Sequence, residues 1–288
     1  MKTLDLTGGV GVNKPNHPHD VRKVQAHLNK HSHATHVTVK EDGEFGPVTL
    51  MAIQAFQLRA MGMTLPNGTV EIFGLTNEWL SNFETAIAKL LSPFPVPPGP
   101  SKPGVLTDAD YKQAAKDLSC EVAAIKAVAS VETGRGGAFD KQGRPTILYE
   151  RHIFSVLTKH IYDKHYPALS GPHAKGEYRT PSYPKLERAY RLAPDAALES
   201  ASWGAFQIMG ENYSAAGFTS VRGFVEAMRE SVQAQLAAFV SFVQSNSVLV
   251  KAIRSKDWPS FALHYNGPKY KENNYDAKLA AAYLKASQ

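Results

Sequence analysis

Apolar residues recur at helical spacing along most of the chain, interrupted by short clusters of Gly, Pro, Asn and Asp. Within residues 1–90, Val21, Val24 and Leu28, then Ala52, Ile53 and Phe56, mark the inner faces of two amphipathic helices, with Asp20 placed to cap the first. Between them the stretch VKEDGEFGPVTL breaks the period: Asp42-Gly43 predicts a tight turn, and Gly46-Pro47 precedes a helix led by Thr49. A weaker echo follows in Asn67-Gly68-Thr69-Val70 and Phe73-Gly74-Leu75-Thr76, ahead of Trp79 and Leu80. Residues 91–104 carry six prolines, which excludes helix and central strand and predicts a semi-rigid spacer. Such a tether keeps whatever the first domain binds close to the second.

Beyond the spacer the pattern is again mostly helical. Thr107-Asp108 predicts a helix start, and Cys120–Glu132 a second helix with Ile125, Val128, Ala129 and Val131 on its apolar face. Gly134, Gly136 and Gly137 end it. Thr146–Glu150 predicts a strand after the Gly143-Arg144-Pro145 turn, and Arg151–His160 a return to helix. Residues 163–185 are loop-rich, with prolines at 167, 172, 181 and 184, and loops of that length are often functional. Helices are predicted again near 186–192 and 194–200, then over Gly223–Phe242, Val248–Ser255 and Trp258–Tyr265.

The formal net charge of +6 suits an anionic partner, but the basic residues are scattered, which argues against nucleic acid. Cys120 is the only cysteine, so no internal disulfide forms, and a buried structural thiol is expected. Six of the eleven histidines fall within His17–His36 without a standard ligand spacing, so neither a metal nor any other cofactor is expected. The opening MKTLDLTGGV has no apolar core of a signal peptide, and no apolar run reaches spanning length; no stable membrane insertion is expected.

The candidate chemistry centres on Glu132. A carboxyl in the last turn of a buried helix is driven toward its protonated form by desolvation and by the helix's negative end, which suits a general acid. The plainer alternative is a solvated Glu at a frayed helix end. Further on, ESASWGAFQIMGENY places Ser202, Gly204 and Gln207 among apolar neighbours, where Gly204 lets a ligand approach and Gln207 can bond a sugar hydroxyl. Tyr265-Asn266-Gly267-Pro268 puts an aromatic ring and an amide at a helix end. Glu150, beside Arg151 and His152, is the candidate second carboxylate, unless it merely pairs with a cation at the strand–helix corner; Asp140 is its rival. Candidate groove residues are Tyr149, His152, Trp203, Tyr213, Tyr265 and Tyr270.

Two resemblances connect these observations. The pattern D-G-x-F-G-P-x-T-x-x-A-I-x-x-F-Q over Asp42–Gln57, with its echo, resembles the peptidoglycan-binding domain of wall hydrolases, a small three-helix bundle. Asp42, Phe45, Thr49, Phe56 and Gln57 carry that likeness. The stretches Val131–Phe139, Leu148–Phe154 and Ser202–Gly210 together resemble the N-acetylmuramidase domain of modular phage endolysins, within the lysozyme-like superfamily. The resemblance implies a mainly α chain: a bundle over 1–90, a linker over 91–104, and an α-rich catalytic domain with a small β element over 105–288. It implies an enzyme that hydrolyses the β-1,4 bond between N-acetylmuramic acid and N-acetylglucosamine in peptidoglycan, with Glu132 as acid. It also implies a monomer that accumulates in the host cytoplasm and reaches the periplasm through a separate pore protein. Lytic transglycosylases, which need no second carboxylate, a chitinase-like enzyme and a non-catalytic wall-binding protein are the alternatives.

Overall fold

The computed structural model describes residues 3–63, 65–82, 94, 104–133, 136–174 and 176–288, so the proline-rich linker expected over 91–104 lies almost wholly outside the described residues. The fold is mainly helical with two small sheets. The chain forms two compact units: one takes residues 1–93, 151–175 and 187–194, the other 94–150, 176–186 and 195–288.

In the first unit, strand β1 (Val10–Gly11) leads to helix α1 (Pro18–Lys30), a short helix α2 (Ser32–Thr35) and α3 (Pro47–Ala55). The last continues through a wider turn over Phe56–Ala60, and strand β2 (Thr69–Val70) and helix α4 (Leu75–Ser81) follow. Val21, Val24, Leu28, Ile53, Phe56, Val70 and Leu80 form the core, and β1 pairs antiparallel with β2, Val10 opposite Val70. Two buried glutamines brace the two turns in the same way. Gln25 of α1 donates to the Asp42 carboxylate (2.9 Å), the Glu44 carbonyl (3.1 Å) and the Thr49 hydroxyl (3.2 Å), and accepts from the Gly43 N–H (2.8 Å). Gln57 donates to Asn67 (2.7 Å), the Thr69 carbonyl (3.0 Å) and the Thr76 hydroxyl (3.0 Å), and accepts from the Gly68 N–H (2.8 Å). The echo read in the sequence is thus a repeated device in which one side-chain amide satisfies a whole Asx-Gly turn. Gly43 is required there, since its φ is +80° and a Cβ would stand 2.6 Å from the Pro18 carbonyl.

Several expectations change. Asp20 does not cap α1: His17 is the N-cap residue, and Asp20 lies in the first turn, accepting from the Thr7 and Gly8 N–H groups (3.1 and 2.8 Å). Burial raises the Asp20 carboxyl, but those donors and the Thr7 hydroxyl outweigh it and hold the group below the usual range. Thr49, Phe56 and Gln57, which carry the likeness to the peptidoglycan-binding domain, lie buried inside the module. Asp42 and Phe45 are half-buried, and two hydrogen bonds, from the Glu44 N–H and then Gln25, hold Asp42 below the usual carboxylate range.

The second unit begins with α5 (Asp108–Leu118), opened by a capping box between Thr107 and Asp110, and continues with α6 (Val122–Thr133) and β3 (Ile147–Tyr149). Helix α7 (Arg151–Leu157) belongs to the first unit, and α8 (Ser182–Leu192) begins in the second and ends in the first. Then come α9 (Pro194–Glu199), β4 (Ala201–Trp203), β5 (Ile208–Met209), α10 (Val221–Glu230), α11 (Val232–Gln244), α12 (Ser247–Ser255), α13 (Trp258–Asn266) and α14 (Tyr275–Ala286). The single helix expected over Gly223–Phe242 is broken at Ser231, whose extended backbone and hydroxyl cap α11 (3.1 Å to the Ala234 N–H). Cys120 is half-buried, and burial pushes its thiol up to about 11. Among the described residues no single helix is long and apolar enough to span a membrane.

The expected catalytic domain over 105–288 therefore lends two stretches to the first unit. Buried aromatic residues explain the loan. The Tyr166 hydroxyl donates to the Met61 carbonyl (2.7 Å), and the Tyr162 hydroxyl, stacked through its ring on Phe154, donates to the Leu192 carbonyl (3.1 Å). Both phenols need a partner once buried.

Replacing Gln57 with Ala strips four hydrogen bonds from a fully buried turn. It is expected to destabilise the protein by about 2–4 kcal/mol in chemical denaturation of the full chain. A change under about 0.5 kcal/mol would mean the amide does not brace the turn.

Candidate active site

Helix α6 buries Ala124, Ile125, Ala127 and Val128 completely, and its small residues allow α14 to pack closely along it. Its start is fixed by Glu121, which accepts from Lys256 (2.7 Å) and from the Tyr283 hydroxyl of α14 (2.5 Å). Glu132 stands in the last turn, 3% exposed. Asn266, the last residue of α13, donates its side-chain amide to Glu132 Oε1 at 3.0 Å. The other end of that amide, Oδ1, is buried with no partner among the described residues.

Opposite lies a three-stranded antiparallel sheet in the order β3-β4-β5, with Leu148 opposite Ser202 and Ser202 opposite Met209. All three line a cleft of about 540 Å³ that also holds Glu132, Glu150, Gln207, Tyr265 and Asn266. The β4–β5 turn is held from both sides. Gly204 has φ +71° and a Cβ there would meet Gln235 at 2.6 Å, so this glycine makes room for a buried amide of α11, not for a ligand as its sequence suggested. Gln235 accepts from the Ala205 N–H (2.7 Å) and donates to the Met228 carbonyl (2.7 Å). Gln207 donates to the Gly204 carbonyl (2.8 Å) and accepts from the Ser202 hydroxyl (2.9 Å), so the two cleft residues fix each other. The Tyr265 hydroxyl donates to the Phe206 carbonyl (2.6 Å), and burial, then the charge of Glu132, pushes that phenol well above its usual range.

Glu150 follows β3, its N–H bonded to the Ser200 carbonyl at 2.8 Å. Its Oε2 accepts from the Tyr178 hydroxyl at 2.5 Å. Burial and then this carboxylate raise the Tyr178 phenol. Asp140 does not line the cleft. One of its oxygens accepts from the Gln142 and Arg144 N–H groups (2.9 and 3.0 Å), and the other pairs with the Arg144 guanidinium (2.8 Å), which lies 3.8 Å from the Tyr183 ring centroid. Its carboxylate closes its own loop.

Of the residues expected in the site, the cleft brings together Glu132, Glu150, Ser202, Gln207, Tyr265 and Asn266. Tyr149 and Trp203 are core residues, 1% and 0% exposed, and the Trp203 indole donates to the Leu198 carbonyl (3.0 Å). Tyr213 and Tyr270 are absent from the lining, and Tyr270 is buried. His152 belongs to the other unit, where its ring lies against His173 with centroids 3.7 Å apart. Tyr178, Asn273 and Tyr275 line the cleft without having been anticipated. Tyr178 sits in the proline-rich loop flagged as functional, while the Asn273-Asn274 turn, with Asn274 at φ +52°, was the available signal for the other two. A second hollow of about 720 Å³ has Asp117 as the only acid in its lining and offers no carboxylate pair.

One cleft thus gathers a buried helix-end glutamate, a second glutamate and several amide and hydroxyl groups, and the family comparisons place this arrangement in its class. The N-acetylmuramidase model matches residues 121–287, and a putative peptidoglycan binding domain matches residues 17–71. The chain belongs to the N-acetylmuramidase family and is a modular glycoside hydrolase with peptidoglycan as its substrate. Among solved structures it is similar to the endolysin of the Burkholderia phage AP3, at 37% identity and a TM-score of 0.58, covering 93% of this chain and 95% of that one. None of the curated proteins compared matches it.

Because Asp140 serves its loop, Asp140→Ala is expected to lower stability by about 1–2 kcal/mol and leave kcat/KM for wall lysis within about tenfold. A hundredfold loss of kcat in a variant that stays folded would return Asp140 to the chemistry.

Proposed function

We propose that this chain is an endolysin that cleaves the β-1,4 bond between N-acetylmuramic acid and N-acetylglucosamine, with Glu132 as the general acid. The observation that carries this reading is a carboxyl buried in the last helical turn yet lining the same cleft as a second carboxylate. A carboxyl removed from water at a helix's negative end keeps its proton more readily, and so can deliver it to a glycosidic oxygen. The Asn266 amide orients it. Glu150, positioned by Tyr178, supplies the second charge that faces the oxocarbenium-like transition state.

Asn266, Ser202 and Gln207 line the cleft and offer polar contacts to an N-acetyl sugar. The second carboxylate favours hydrolysis over transglycosylation, since the cyclising reaction needs none. The first unit holds the polymer, and the net charge of +6 favours an anionic wall over a neutral glycan. The protein acts as a monomer, binds no nucleic acid, accumulates in the host cytoplasm and reaches the wall when a separate pore opens the membrane.

Glu132→Gln is expected to lower kcat on permeabilised Gram-negative cells by about 10²–10⁴-fold, the usual contribution of a general acid, while sedimentation with insoluble peptidoglycan stays unchanged. Retained lysis removes Glu132 from its role. Mass spectrometry of digested peptidoglycan should find reducing-end products; products one water lighter would assign the enzyme to transglycosylation instead.

A further inference from the structure

We propose that Thr7, His17, His19 and Asp20 form a zinc(II) site that clamps the N-terminal segment onto the first helix of the wall-binding unit. Sequence spacing hides it, because Thr7 stands ten residues before His17 and the run His17-Pro18-His19-Asp20 matches no standard ligand pattern. Folding brings the ligand atoms of His17, His19 and Asp20 within 4.8 Å of one another. His17 Nδ1 lies 3.4 Å from Asp20 Oδ2, and His19 Nε2 lies 3.1 Å from Asp20 Oδ1. Thr7 Oγ1 completes the group, 3.1 Å from His17 Nδ1 and 2.9 Å from His19 Nε2. A tetrahedral zinc ion with bonds of about 2.0–2.1 Å holds its ligand atoms about 3.3 Å apart. Each histidine nitrogen lies near that distance from one oxygen of Asp20, so a small turn of the carboxylate brings a single oxygen within reach of an ion shared with both rings.

The chemistry of the donors selects the ion. Two imidazole nitrogens with one carboxylate oxygen suit zinc, whereas calcium and magnesium prefer oxygen alone. The fourth position falls to the Thr7 hydroxyl or to a water in its place. The surroundings are built for the purpose. Asp20 has no exposed side-chain surface and is oriented by the Thr7 and Gly8 N–H groups, the kind of outer support that fixes a metal ligand. Gly8 leaves the space that the His17 ring occupies, since a Cβ there would stand 3.0 Å from His17 Nδ1. Pro18 holds the backbone between the two rings, which lie nearly parallel at 13°. Both histidines are about half exposed, so an ion reaches them from solvent.

The test uses untagged full-length protein dialysed against EDTA and titrated with zinc(II) in competition with a chromophoric chelator. One equivalent is expected to bind, and the thermal midpoint to rise with zinc. The His17→Gln/His19→Gln double variant, altered only at half-exposed positions, is expected to lose affinity at least tenfold and to lose the thermal response. A His33→Gln/His36→Gln control is expected to keep both. Cobalt(II) in the wild type should give the strong visible bands of a tetrahedral site, absent from the first double variant. No binding by the wild type, binding unchanged in the His17/His19 variant, or loss only in the control overturns the proposal.

Discussion

The packing of the second unit keeps one carboxyl group dry at the end of a helix. Glu132 can be 3% exposed only because α6 packs along α14 through alanines and because α13 ends in Asn266, whose amide reaches the carboxyl. Each of those elements is anchored in turn. Glu121 ties the start of α6 to Lys256 and Tyr283, and the aromatic stack of Phe261 on Tyr265, centroids 5.3 Å apart, steadies the last turn of α13. Removing a polar group from water is costly unless its partners are in place beforehand, so the surrounding helices have little freedom to move.

The first unit is held together in a different way. Two glutamines, at equivalent points of a repeated turn, each bind three acceptors and one N–H. A small helical unit has little core to hold its loops, and a buried amide with all its bonds made fixes a turn without adding apolar surface.

Much of this was legible in the sequence. The helical periods, the paired Asx-Gly turns and the short strand at 147–149 were visible because each is a local pattern. Glu132, Glu150, Ser202, Gln207, Tyr265 and Asn266 were legible because type and position within short motifs singled them out. Trp203 and Tyr149 were misplaced for a simple reason. On the central strand, neighbours face opposite sides, so with Ser202 at the cleft Trp203 goes into the core, while Tyr149 at the end of its strand is buried as well. Tyr178 lay in the loop flagged as functional, but its pairing with Glu150 was out of reach because the two meet across 28 positions. The grouping of Arg151–Lys175 with the N-terminal residues was equally hidden, since it rests on Tyr166 finding a carbonyl 105 positions away.

That last feature bears on how such enzymes are recombined. Swapping binding heads between wall hydrolases treats the proline stretch as a seam, with an independent piece on each side. Here the piece upstream is completed by chain from beyond the seam. A graft of residues 1–90 onto a foreign hydrolase leaves the tyrosines at 162 and 166 behind, and the orphaned partner at Met61 faces water in the recipient. The exchangeable part of this protein is a set of three segments that must travel together.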